Sequence, residues 1–418
     1  MTASFPSRMP SLPGKARWWI AGLLAAATAL NYLDRQNLPV VIVELQKHIP
    51  ITDQQYAHLQ FLFLMAYGLM YIGGGGIIDW LGTRAGYAVM ILWWSIANFL
   101  HGTVNSVATL SIYRFLLGMG EGGGFPGSAK AVSEWFSPQE RSFAFGIFNT
   151  GSSVGAVIAP PLIAAIVYFL NWRWVFFITG MLGMVWTIVW LRVYHAPPAV
   201  PSIIAGGAPI VPAAVPRIRW AELFRYRQLW GLLSAKFLSD SAWYFFIFWL
   251  PKYLADVRHL NIKEIGYYAW IPYAFAGAGS FLGGWLSSKL IQRGCSIDRS
   301  RKITLGISAA IMPASLLIAR SPLKLAILFF SLALFGHQFW STIMQTLPAD
   351  MFPSRIVASV AGLLGAAGSF GGMFFNYLVG QILGQFHHYG PVFLISGLLH
   401  PAAFLVVLLT VKRIELVA

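Results

Sequence analysis

Twelve apolar stretches, each long enough to cross a bilayer as a helix, divide this sequence and leave it few ways to fold. About 20 consecutive apolar residues span the hydrocarbon core. With that ruler the stretches fall near residues 18–43, 57–78, 85–104, 107–132, 142–168 and 173–194, and again near 228–254, 265–290, 302–319, 323–347, 356–383 and 390–411. The expected fold is an all-α membrane protein with twelve transmembrane helices in two pseudo-symmetric six-helix bundles. Composition agrees: only 10% of the 418 residues are charged, against about 25% in a soluble domain.

Between the two sets lies "HAPPAVPSIIAGGAPIVPAAVPRIRWAELFRYR", whose proline spacing forbids a regular helix. The expected organisation is an amino-terminal bundle over 1–195, a cytoplasmic linker over 196–222 and a carboxyl-terminal bundle over 223–418. The net charge of +15 raises nucleic acid as a partner, but the basic residues recur in short clusters between apolar stretches and form no single patch. That pattern fits cytoplasmic loops. Arg8, Lys15 and Arg17 precede the first stretch; Arg84, Lys130, Arg141, Arg217, Arg219, Arg225, Arg227, Lys289, Arg293, Arg299, Arg301, Lys302 and Arg355 fall in alternate loops; Lys412 and Arg413 close the chain. Both termini are expected in the cytoplasm of a bacterium, with the chain in the inner membrane. The first stretch is longer than a signal-peptide core of about 7–15 residues, so no cleaved signal is expected. The single cysteine, Cys295, excludes an intrachain disulfide framework.

A shift of 216 residues lays "EWFSPQERSFAFGIFNTGSSVGAVIAPPL" (134–162) on "DMFPSRIVASVAGLLGAAGSFGGMFFNYL" (350–378) without a gap. Glu134 meets Asp350, Gly146 meets Gly362, and Gly155 meets Gly371. Parallel six-helix repeats around a central site are a transporter plan.

Charges inside the apolar stretches point to that site. An Asp, Lys or Arg at the centre of a membrane helix is unfavourable by about 2.5–3.5 kcal/mol, so it persists where it faces a cavity or a partner. In "ALNYLDRQNLPVVIV" the neighbours Asp34 and Arg35 point about 100° apart and cannot form a simple local pair. In "YRFLLGMGEGGGFPGSAKA" Arg114 and Glu121 share one helix face two turns apart. Their structural reading is an Arg–Glu pair; their functional reading is an ionisable site. In the seventh stretch Lys236 and Asp240, spaced i, i+4, can neutralise each other, and a gating role stands equal to a structural one. "GHQFWSTIMQT" adds His337, Gln338, Trp340 and Gln345, and Asn376 lies in the eleventh stretch. An Arg binds a carboxylate by a two-pronged, charge-assisted hydrogen bond, and two membrane carboxyls can carry protons. These parts fit proton-coupled uptake of an anion.

"GGIIDWLGTRAG", with Asp79 and Arg84 between the second and third helices, resembles the loop signature of the major facilitator superfamily. "NYLDRQNL", "GEGGGFPGSAKAVSEWFSPQERSFAFGIFNTGSSVGAVIAPPL", "RQLWGLLSAKFLSDSAWYFFIFWLPKYL" and "ADMFPSRIVASVAGLLGAAGSFGGM" resemble its anion:cation symporter family, and within it the bacterial hexuronate and related sugar-acid transporters. The resemblance implies proton-driven uptake of organic anions by alternating access. It also implies that Arg114 grips the substrate carboxylate, that Asp34 and Glu121 carry protons, that Arg35 contacts substrate or these acids, and that Tyr32 and Tyr67 touch substrate. Ser152, with Asn149 nearby, replaces a glutamine of one family member. Gln338, Trp340 and Asn376 complete the candidate substrate contacts, with Asp79, Arg84, Lys236 and Asp240 as gating or structural residues.

The expected function is symport of a hexuronate such as glucuronate or galacturonate, with protons as the coupling ion and no cofactor or metal. The expected partners are a small organic anion and the lipid bilayer, with no nucleic acid, and the chain is expected to work as a monomer. The alternatives are symport of another organic anion, such as an aldonate or dicarboxylate, or of phosphate, and a drug/proton antiporter, which an anchoring arginine disfavours. An enzyme is not expected: no H-E-x-x-H, phosphate-binding loop or serine nucleophile motif occurs.

Overall fold

The computed structural model describes residues 16–136, 138–195 and 223–416. Among the described residues there is no strand. The helices are α1 (Ala16–Leu45), α2 (Asp53–Leu81), α3 (Thr83–His101), α4 (Val107–Gly122), α5 (Gly124–Trp135), α6 (Pro138–Phe169), α7 (Trp172–Val193), α8 (Arg227–Asp256), α9 (Ile262–Tyr268), α10 (Trp270–Gln292), α11 (Ile297–Ile311), α12 (Leu323–Met351), α13 (Ser354–Phe386) and α14 (Gly390–Thr410). A 3-10 turn, Met312–Arg320, extends α11. The fourth span is α4 with α5, the eighth is α9 with α10, and the ninth is α11 with its 3-10 extension, which makes twelve spans. The chain is a multi-pass membrane protein. The linker expected at 196–222, with Arg217 and Arg219, lies outside the described residues, as do Arg8 and Lys15.

Seven spans are long and apolar enough to cross a membrane by composition alone. Those that fall short include α1 and α8, which hold charge, and the fourth span, which is broken in two. At Gly123, between α4 and α5, the backbone stays in the right-handed helical region but its N–H bonds three residues back, to Gly120 O. A Cβ at Gly118 would lie 2.2 Å from the Phe63 carbonyl oxygen, so α4 packs against α2 backbone to backbone. Gly82, at φ 76°, turns the chain between α2 and α3 in a conformation that suits glycine. Thr52 caps α2 through a reciprocal bond with Gln55.

The repeat read from the sequence has a structural counterpart. A Cβ on Gly155 of α6 would lie 2.3 Å from Ala29 O of α1, and one on Gly371 of α13 would lie 2.0 Å from Phe237 O of α8. The fifth span thus rests on the first as the eleventh rests on the seventh. Glu134 accepts from Thr83 at the start of α3 at 2.6 Å, and Asp350 accepts from Arg301 near the start of α11 at 2.9 Å.

The even number of spans puts the beginning of α1 and the end of α14 at one end of the bundle. At the opposite end the halves are bonded together. Lys252 of α8 pairs with Asp53 of α2 at 2.8 Å and with Asp256 on its own helix. Tyr56 donates to Phe248 O at 2.5 Å, and Tyr273 donates to Gln36 at 3.2 Å. Gly380 and Gly384 of α13 lie against Ala57 and Gln54 of α2. At the terminal end, the ion pairs Arg17–Glu140, Lys130–Asp79 and Arg301–Asp350 each stay within one half.

Candidate functional site

The first, second and fourth spans bring their polar residues together near mid-helix. Arg35 of α1 donates through Nε and Nη2 to one oxygen of Glu121 on α4, at 3.0 and 2.9 Å. Nη2 also reaches Asn31, one turn earlier, at 3.1 Å. The guanidinium stacks over aromatic rings, 4.6 Å from the centre of Tyr67, 4.9 Å from Tyr32 and 5.7 Å from Phe63. Tyr32 is half-buried, while Arg35 and Glu121 are buried. The other Glu121 oxygen, Oε1, has no hydrogen-bond partner. An ion pair in this setting is strong but fragile: removing one member leaves an uncompensated charge in a medium of low polarity.

One pairing suggested by the sequence does not form, and one separation it expected is seen. Arg114 and Glu121 share a face but are not bonded; seven residues separate them by about 10.5 Å along the helix. Arg114 instead donates to Gln60 of α2 at 2.7 Å and lies 4.3 Å over Phe63. It is fully buried, its Nε has no partner, and no ion pair holds it among the described residues. Asp34 also lacks an arginine. It points away from Arg35 into the first half, where it accepts from Asn98 of α3 at 2.8 Å. Asn98 and Asn37 both donate to Thr179 of α7, at 2.7 and 2.8 Å, closing a sealed polar cluster between three helices.

The second half supplies a different wall. Lys236 and Asp240 are 2.9 Å apart, an i, i+4 pair on α8. His337 stacks on Trp243 with ring centres 4.7 Å apart and planes at 14°, and its Nδ1 meets His400 Nε2 at 3.2 Å. Trp340 and Asn376 are fully buried; Asn376 accepts from Trp249 at 2.8 Å and donates to Gly372 O, so neither faces open space in this conformation. Gln338 is half-buried and Asn149 exposed. Asp79 is tied to Lys130 at 2.6 Å, and Arg84 donates to the Leu191 carbonyl, so both brace the terminal end. Asn98, Thr179, Gln60 and His400 belong to these clusters and were not singled out by sequence. Thr179 and His400 are isolated polar residues in apolar runs, the signal that could have found them, whereas Gln60 and Asn98 have other polar residues within three positions. Among the described residues no group of acids, histidines and cysteine is placed to hold a metal.

A profile described as Major Facilitator Superfamily matches residues 24–375. The chain is 33% identical to the hexuronate transporter of Escherichia coli (strain K12) over 379 residues, covering 88% of this chain and 87% of that one. It is 34% identical to the galacturonate transporter of Dickeya chrysanthemi, covering 73% of this chain and 92% of the relative. It is 29% identical to the D-galactonate transporter of Escherichia coli O6:H1, covering 91% and 92%. The fold is shared with a crystal structure of a bacterial homologue of the human lysosomal transporter Spinster, in an inward-facing, unoccupied conformation, at a TM-score of 0.71 and 20% identity over 96% of this chain and 95% of that one.

Proposed function

The chain belongs to the Major Facilitator Superfamily, and from that premise we propose that it carries a sugar-acid anion of the hexuronate class into a bacterial cell together with protons, by alternating access. The named activities of its relatives support the substrate class. The observation that carries the mechanism is the buried Arg35–Glu121 pair beside Tyr32 and Tyr67.

A proton arriving on Glu121 removes half of that pair. Arg35 is then an unbalanced cation in a poorly polar wall, and a substrate carboxylate restores its partner through the same two-pronged geometry. Proton and anion thus favour each other's binding at one guanidinium. The tyrosines beside it offer ring faces and hydroxyls to a sugar. Arg114, buried behind Phe63 and in no ion pair among the described residues, adds positive potential behind the site. Asp34 is a second proton-accepting group; through Asn98 and Thr179 it ties protonation to the packing of α1, α3 and α7. The sealed end faces the outside, and both termini lie in the cytoplasm of an inner-membrane protein. The Lys252–Asp53 contact must part when the outer end opens, and Asp256 then keeps Lys252 neutralised.

Uptake of labelled glucuronate into proteoliposomes tests the reading. An inward proton gradient is expected to drive accumulation above equilibrium, and a protonophore is expected to abolish it. Uptake indifferent to the proton gradient rejects the coupling; no uptake of any sugar acid rejects the substrate class.

A further inference from the structure

One charged pair in the second half has no part in this cycle. Lys236 and Asp240 are only 12% and 10% exposed, yet they are not sealed as Asp34 is. Asp240 lies against Gly368 of α13, one turn from Gly365, which packs on Tyr71 of α2; Tyr71 meets the Tyr67 ring that covers Arg35, so the acid borders the site from the second half. The carboxylate is seated with little slack. A Cβ on Gly368 of α13 would lie 2.1 Å from Asp240 Oδ2, so a side chain there would push the acid off Lys236. Ser239 Oγ is 3.4 Å from the other oxygen.

The two walls therefore differ in what they offer an anion. On the first half, Arg35 loses its ionic partner when Glu121 takes a proton. On the second half, Lys236 is matched by a fixed carboxylate. We propose that Asp240 is a specificity-determining residue: by neutralising Lys236 it leaves this wall without a free cation, so it admits substrates with one carboxylate and rejects those with a second at the far end. This rests on the sugar-acid reading above. Its physical basis is the cost of burying a charge that finds no partner, used against the wrong substrate. A hydroxyl or aldehyde end of a sugar carries no such cost.

The test compares D-glucuronate with D-glucarate, the same carbon skeleton with a carboxylate at both ends, as competitors of labelled glucuronate uptake in proteoliposomes. In the wild-type protein, glucarate is expected to compete at least about tenfold more weakly than glucuronate, equivalent to about 1.4 kcal/mol. Asp240→Asn keeps the size of the side chain and frees Lys236, so the gap should narrow about tenfold. Adding Lys236→Gln should widen it again, because the freed ammonium is what receives the second carboxylate. An unchanged ratio in a folded Asp240→Asn protein, judged by gel filtration and thermal melting, overturns the proposal. So does a gain that survives Lys236→Gln. Should Asp240→Asn fail to fold, Asp240→Ser takes its place. The wild-type comparison stands by itself: equal competition by the two anions overturns the filter while leaving the proposed function intact. Absence of glucuronate uptake overturns that function and the filter with it.

Discussion

In the first half α4 delivers Glu121 to Arg35 on α1; in the second half α12 delivers His337 to Trp243 on α8. These are matching places. The repeat carries Glu121 onto His337, and the register that matches Ala29 with Phe237 carries Arg35 onto Trp243. The scaffold around them is common to both halves: the same pair of spans meets at Gly155 and at Gly371, and an acid ends the fourth and tenth spans in turn. The chemistry is not shared. One half holds an ion pair whose acid can take a proton; the other holds a stacked aromatic pair. A duplicated frame has been loaded asymmetrically, with an ion pair at one place and a stacked aromatic pair at the matching one.

Breaking the switch should have the largest effect. Arg35→Ala is expected to weaken substrate binding by about 30-fold or more, since truncating one member of a buried charged pair costs about 2–5 kcal/mol. Arg35→Lys should recover little, because an ammonium lacks the planar fork. Calorimetric titration with glucuronate checks both variants; near wild-type affinity in Arg35→Ala would remove the guanidinium from the account.

Where the halves are alike, matching substitutions should act alike. Gly155→Val and Gly371→Val each force a side chain into a neighbouring backbone carbonyl. Each should destabilise the protein by about 1–3 kcal/mol, read as a lower melting temperature. A large loss for one and none for the other would break the structural equivalence.

The smallest effect belongs to the aromatic wall. Trp243→Phe keeps a ring over His337 and should cost about 0.5–1.5 kcal/mol in stability, while glucuronate still accumulates under a proton gradient. Complete loss of coupling in this variant would place a second switch where the comparison puts a passive wall.

Much of the frame was legible in the sequence. Membrane helices announce themselves by length and apolarity, and the twelve expected spans correspond to the observed ones within a few residues at most ends. The break in the fourth span was legible in part: its glycines from 118 to 124, with Pro126, make that helix easy to bend, and α4 ends at Gly122. At the site, residue types were legible but partners were not. Sequence shows that Asp34 and Arg35 diverge; it does not show that one turns toward Asn98 on α3 and the other toward Glu121 on α4. It places Arg114 and Glu121 on one face, but two helical turns exceed the reach of an ion pair, and the contact went to a different helix. The Lys236–Asp240 pair was legible because both members sit on one helix at the right spacing. Pairs within a helix follow from periodicity, whereas pairs between helices depend on rotation and register that only packing decides.

The central claim is that Glu121 is the proton-carrying partner of Arg35, and a paired measurement on Glu121→Gln addresses it directly. Proteoliposomes holding the variant or the wild type are assayed for glucuronate accumulation under an inward proton gradient and for counterflow exchange with no gradient. The variant keeps a neutral, amide-bearing side chain beside Arg35, so the site can still bind and exchange substrate while no proton rides on it. The expected result is counterflow retained and uphill accumulation lost. A variant that concentrates glucuronate as steeply as the wild type would show that the Arg35–Glu121 pair is structural and that coupling lies elsewhere.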